Sequence, residues 1–274
     1  MKLVLTGSTS GIGWETLKGL LPEVEMAILP VRNISKAEKM IRVLPGKEKI
    51  RLVHMDLSQM SSVAKASQEI LLLTDSVDLL INNAGGMYPA GKNTPEGLDL
   101  TFASNHLGHF LLTRELLPAL LKGKAKIIHV SSEAHRISGD PSADFSLKSS
   151  SNTGTAYGKA KLYNILFTNK LKTRFESEGI TAYSLHPGAV RTAFGSETSV
   201  IAKAIIRATQ LFFISSKAGA ETTIFLAKTP SKNLTNGAYY DKKKVKTPTR
   251  IARNQEIASK LWKYSEEVLK SLGY

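Results

Sequence analysis

The segment "TAYGKAKLYNIL", residues 155–166, sets Tyr157 four positions ahead of Lys161. On a helix that spacing stacks a phenol and an ammonium on one face. A free phenol has a pKa of about 10, and a neighbouring cation favours its ionised form. Bringing a phenol towards the working pH is what general acid–base catalysis requires. The spacing alone selects nothing, because Tyr88/Lys92, Tyr239/Lys243 and Tyr240/Lys244 share it. Tyr88 lies in "GGMYPAGKNTP", where Gly and Pro preclude a helix, and Tyr239 and Tyr240 run into a basic tail. Tyr157 begins a helix in which Ala160, Tyr163, Phe167 and Leu171 recur at helical intervals. It also lies 25 residues after Ser132 (157 − 132), a span able to return the chain to the same face of a sheet.

A second group of residues suits a dinucleotide. "TGSTSGIG" places Gly7, Gly11 and Gly13 in one turn, with Thr9, Ser10 and Ile12 between them. Glycines there permit a tight turn and let backbone N–H groups approach a pyrophosphate at a helix N-terminus. The spacing is G-x-x-x-G-x-G, so the general G-x-G-x-x-G rule fits only loosely; the position between a strand and a helix strengthens it. The next strand ends "ILPVRN", with Arg32 and Asn33 where an NAD site usually has a carboxylate. A guanidinium fork suits a 2′-phosphate, so the expected cofactor is NADP(H). "HMDLS" brings Asp56, which can accept from an adenine amine, and Leu57. "NNAG" brings Asn83, Ala84 and Gly85, small enough for close approach of a cofactor. Asp, Asn and Gly are also common loop residues, so each of these reads equally as plain turn chemistry.

These residues need elements to hold them. "KLVLTG", "VEMAILPV", "IRLVHMDLS", "VDLLINNAG", "AKIIHVSS" and "ITAYSLHPG" read as six short strands rich in Val, Ile and Leu. Helical segments alternate with them: one to about Leu21, "KAEKMIRVL", "SVAKASQEILLL", a long "LTFASNHLGHFLLTRELLPALL" ending near Lys122, and "AYGKAKLYNILFTNKLKTRF". The alternation predicts an α/β fold: a doubly wound parallel β-sheet of Rossmann type, in one domain over residues 1–274, with helices on both faces. In such a sheet ligands bind beyond the carboxyl ends of the strands, where every unusual cluster falls.

Composition narrows the chemistry. Apolar residues make up 42% of 274 and charged residues 22%, ordinary for a soluble globular protein. With no cysteine, thiolate nucleophiles, disulfides and Cys-zinc sites are excluded. The six histidines show no H-E-x-x-H pattern, and His106 and His109 have no carboxylate nearby in sequence, so no metal is expected. The opening apolar run is short and nothing approaches the roughly 18 apolar residues of a membrane span. A cytoplasmic protein without a transmembrane segment is expected. The net charge of +14 asks for a polyanion, met by a phosphorylated small molecule, an anionic membrane or nucleic acid. Nucleic acid rests on charge and "DKKKVKTPTR" alone, without a reader motif, and is not expected.

Taken in order, "TGSTSGIG", "NNAG", "SNHLGHFLLT", "VSSEAH", "AYGKAK" and "HPGAVRT" resemble the short-chain dehydrogenases/reductases of the single-domain type, from Lys2 to roughly Tyr264. "SNHLGHFLLT", "VSSEAHR" and "HPGAVRT" are most similar to the retinol-dehydrogenase-like branch. The resemblance implies that Tyr157 is the general acid/base and Lys161 its electrostatic partner. It implies that Ser132 holds the substrate oxygen, that Asn105 holds a structural water, and that Pro187, Gly188, Val190 and Thr192 line the nicotinamide amide. Tyr157 and Lys161 then touch the cofactor too. Several branch members carry an N-terminal membrane anchor; this chain opens on the first strand, so membrane residence is not carried over.

Residues 193–216 are expected to form a substrate lid: Val200, Ile201, Ala204, Ile205, Ala208, Leu211 and Phe212 repeat at helical spacing, with Lys203, Arg207 and Gln210 opposite. An apolar lid predicts an apolar carbonyl or alcohol, such as a long-chain aldehyde or a retinoid-like or steroid-like compound. The rival for this stretch is peripheral membrane contact. Residues 238–274 form a C-terminal segment similar to that of the branch. The apolar faces of the 157–175 helix leave burial and a homodimer interface both open. A catalytically silent NADP(H)-binding regulator is the alternative to an enzyme, and the presence of all four catalytic residues weighs against it. A sugar-nucleotide epimerase would need a larger C-terminal domain.

Overall fold

The computed structural model describes residues 1–150, 152–188 and 215–274. Eight strands form one sheet: β1 (Lys2–Leu5), β2 (Met26–Val31), β3 (Ile50–His54), β4 (Leu79–Asn82), β5 (Lys126–Val130), β6 (Thr181–His186), β7 (Tyr239–Asp241) and β8 (Lys244–Val245). Their order is β3-β2-β1-β4-β5-β6-β7-β8, parallel except for the β7–β8 pair. The order reverses between β1 and β4, which opens a crevice at the carboxyl ends of those two strands.

Strand alternation builds a core on each face. Val4, Leu80, Ile127 and Ala182, in register across β1, β4, β5 and β6, enter one core. Their neighbours Leu3, Leu5, Leu79, Ile81, Ile128 and Leu185 enter the other. Helices α3 (Met60–Leu73), α4 (Gly108–Glu115), α6 (Thr153–Phe175) and α8 (Gln255–Ser271) cover the first core. Helices α1 (Gly11–Leu20) and α7 (Ser216–Lys228) cover the second. Among the described residues the remaining α-helices are α2 (Ile34–Ile41) and α5 (Leu117–Lys122). The expected single-domain α/β architecture with a parallel sheet is the one observed.

Two expectations need correction. The long helix from Leu100 is broken: a turn at Leu100–Phe102, a π-turn at Ala103–Leu107, α4, and α5 with Pro118 in its first turn. Proline has no N–H to continue the helical ladder, which accounts for the second break. Tyr239 and Tyr240 do not run into a basic tail but lie buried in β7 against β6, and Lys244 opens the short antiparallel β8. The apolar faces of α6 are covered within the chain. Trp262 of α8 meets Phe167 of α6 at 5.7 Å and lies edge-on to Phe110 of α4 at 4.9 Å. No helix among the described residues is long and apolar enough to cross a membrane.

Candidate active site

The turn after β1 is shaped by its glycines. Gly7 adopts φ +69°, and a Cβ on Gly13 would fall 2.0 Å from the Gly7 oxygen, so the first turn of α1 lies directly on the loop backbone. Ser10, at the N-cap of α1, gives no side-chain bond, and the first turn carries no acid. Its N–H groups are therefore left to a ligand. The Ser8 hydroxyl is buried beside them without a partner among the described residues. An uncapped N-terminus, a donor in reserve and no competing carboxylate fit a pyrophosphate, with Thr9, Ser10, Gly11 and Ile12 at its edge.

Asn83 and Ala84 hold this turn in place. The Asn83 amide donates to the Thr6 oxygen at 2.9 Å and the Gly7 oxygen at 3.3 Å. The Thr6 hydroxyl accepts from the N–H groups of Asn83 and Ala84, both at 3.0 Å. It also lies 3.0 Å from Nε2 of His109, whose burial lowers its pKa to about 3 and keeps the ring neutral. Thr6 and His109 escape a motif reading because their partners lie about a hundred residues apart in sequence or on the next strand.

At the end of β2, Arg32 is exposed, and its side chain makes no hydrogen bond among the described residues. Asn33 is occupied differently from the expectation: its side chain accepts from Lys36 N at 2.8 Å and caps α2. After β3, one oxygen of Asp56 accepts from the N–H and hydroxyl of Ser58, at 2.9 and 2.7 Å. The same loop packs Leu57 against Gly108, where a Cβ would meet the Leu57 oxygen at 2.5 Å.

The acid–base residues meet beyond β4 and β5. Ser132 follows β5 and caps a 3₁₀ turn, Glu133–Ile137, by accepting from Ala134 N at 3.2 Å. Tyr157 lies in the second turn of α6, whose N-cap is Asn152, and the Ser132 side chain lies close enough to act on its phenol. Gly158 makes this reach possible: a Cβ there would stand 2.7 Å from the Ala134 oxygen. Lys161 sends its ammonium to the Val130 oxygen at 3.0 Å and sits 5.4 Å from the centre of the Tyr157 ring. Asn105, on the π-turn, accepts from Gly86 N and donates to the Gly86 and Thr101 oxygens, each at 3.0 Å. Gly85 lies between Asn105 and Lys161. The side chain of Asn105 is thus engaged by the backbone, and its main-chain oxygen lies 3.5 Å from Nδ1 of His109.

The electrostatics differ from expectation in one respect. Burial pushes the Tyr157 phenol up, and the neighbouring Ser132 side chain opposes this only in part. Burial also lowers Lys161, to about 8. The protein alone therefore holds a protonated phenol beside a weakened ammonium, and desolvation outweighs the helical-turn attraction.

Pro187 and Gly188 follow β6 at the same rim, whereas Val190, Thr192 and residues 193–214 of the expected lid lie outside the described residues. His106 and His109 turn to separate partners, Ser265 and Thr6. Among the described residues no group of three His, Asp or Glu could hold a metal.

The profile of the short chain dehydrogenase family matches residues 2–200. Retinol dehydrogenase 12 of Homo sapiens is 32% identical over 271 residues, covering 97% of this chain and 85% of the relative. Retinol dehydrogenase 14 of Mus musculus is 34% identical over 282 residues, covering 96% and 84%. A crystal structure of an uncharacterised protein from Mycobacterium paratuberculosis superposes with a TM-score of 0.77 at 27% identity, covering 98% of this chain and 93% of that one. The chain belongs to the short chain dehydrogenase family, whose members use nicotinamide cofactors, and within it to the retinol-dehydrogenase-like branch.

Proposed function

We propose that the protein transfers hydride between NADP(H) and an apolar carbonyl or alcohol, with Tyr157 as the acid/base. The observation that carries this reading is the convergence of Tyr157, Ser132 and Lys161, with the ammonium 5.4 Å from the phenol ring and Gly158 packed against the Ser132 turn, at the rim that also holds the glycine turn. When bound, the nicotinamide supplies the hydride to the carbonyl carbon or accepts it from the alcohol. Ser132 places its hydroxyl to hold the substrate oxygen. A phenol kept protonated by burial can give its proton to that oxygen as negative charge develops on it. Lys161, lowered to about 8, is still mainly charged at neutral pH and stabilises the phenolate left behind. Oxidation would need the phenolate first, which burial opposes, so the protein's own electrostatics favour reduction.

Arg32, exposed after β2 with no acid beside it, supports NADP(H) over NAD(H). An apolar substrate is supported by Met87 and Ile137, exposed large hydrophobics on the segments after Gly86 and Ser132. It is supported also by relatives named as retinol dehydrogenases. The test is oxidation of NADPH and of NADH with decanal, all-trans-retinal and a 3-ketosteroid. Turnover with NADPH in preference to NADH is expected, and Arg32→Asp should reverse the preference. Tight NADPH binding without turnover on any carbonyl would favour the silent regulator instead.

A further inference from the structure

The family profile ends at residue 200, yet a later segment reaches back to the catalytic serine's turn. Glu133 and His135, on either side of Ala134, carry the connection. One Glu133 oxygen accepts from the Tyr239 hydroxyl at 2.8 Å; the other pairs with Arg136 at 2.7 Å and Lys246 at 3.2 Å. Lys246 is anchored in turn by Asp241 at 2.8 Å. The His135 Nδ1 lies 2.7 Å from the Ser132 oxygen, and its Nε2 accepts from Thr249 N at 3.3 Å. With Nε2 accepting, the neutral ring must donate from Nδ1 to Ser132. Its ring packs edge-on to Tyr239 at 5.1 Å, and Arg136 donates to the Thr247 oxygen at 3.2 Å. His135 and Tyr239 are both buried. The turn that presents Ser132 is thus held, through His135 and Glu133, by a segment more than a hundred residues away.

We propose that residues 239–249 act as a clamp on the Ser132 turn, with Tyr239, Lys246 and Thr249 working through Glu133 and His135 as positioning residues for the serine hydroxyl. The inference rests on Ser132 as the holder of the substrate oxygen. A buried hydrogen bond lost on one side leaves the other partner unsatisfied, so the turn must shift or open. A displaced hydroxyl costs turnover without touching the cofactor end.

The test uses the full chain with Tyr239→Phe, His135→Leu and His135→Asn, the last keeping a donor close to the position of Nδ1. Amide hydrogen exchange over residues 131–138 should quicken in Tyr239→Phe and His135→Leu and return towards wild type in His135→Asn. With NADPH and decanal, kcat should fall about ten- to a hundredfold in the first two, with the Kd for NADPH unchanged. In a Ser132→Ala background the same substitutions should change kcat less than about twofold, because coupled groups are not additive. Unchanged exchange at 131–138, or an equal loss of kcat in both backgrounds, overturns the clamp. Exchange is readable without turnover, so a failure of the hydride-transfer reading shows separately, as inactivity of the wild type.

Discussion

At the scale of single residues, what distinguishes Tyr157 from the other tyrosines is its company. Its phenol meets Ser132, and its ring lies 5.4 Å from the Lys161 ammonium. The lowered pKa of Lys161 gives this site a pH signature. The ammonium is present below about 8 and lost as pH rises through that value. The rate of carbonyl reduction should therefore be level near pH 6–7 and decline above about 8. A profile still flat at pH 9.5 would contradict the role given to Lys161. Ser132, Tyr157 and Lys161 are legible in the sequence, because each stands in a short motif at a telling distance from the others. Glu133 and His135 are not, because their partners Tyr239 and Thr249 come from a distant segment.

At the scale of elements, two close contacts decide how the site is assembled. Helix α6 lies so near the Ser132 turn that Gly158 has no room for a side chain. Gly158→Val should cost about 1–3 kcal/mol and lower turnover further by separating Tyr157 from Ser132. Gly154, on the same helix, meets only Asn152 Oδ1 at 3.4 Å, so Gly154→Ala should be neutral or stabilising by up to about 1 kcal/mol. Urea unfolding of both variants checks the contrast, and equal effects would contradict it. The β7–β8 hairpin turns through Lys242 and Lys243, at φ +49° and +66°. Asn-Gly is the natural pair for such a turn, so Lys242→Asn with Lys243→Gly should stabilise by about 0.5–1 kcal/mol. A lower urea midpoint for that double variant would show that the turn is not strained. This hairpin is hidden in the sequence because its strands span only three and two residues and its turn carries lysines. The π-turn at Ala103–Leu107 is hidden for another reason: one extra backbone residue leaves no side-chain signature.

At the scale of the molecule, the alternation of apolar strands and helices makes the sheet and the location of its binding rim readable. What covers the second face of α6 is not, because α8 meets it only after the chain has crossed the whole sheet. Three of the buried histidines, His106, His109 and His129, lie deep in the fold, and burial lowers all three pKa values, the first two to about 3. Unfolded histidines titrate at about 6.5, so the stability these groups contribute is complete above that pH and falls as pH drops towards 3. His106 and His109 should each cost about 1 kcal/mol at pH 5.5 relative to pH 7.5. Urea denaturation at the two pH values checks this, and equal stability would contradict it. The measurement that bears most directly on the central claim separates cofactor binding from chemistry: single-turnover reduction of decanal by Tyr157→Phe saturated with NADPH. The variant should bind NADPH as the wild type does while its reduction rate falls at least about a hundredfold. Reduction at the wild-type rate would contradict the account.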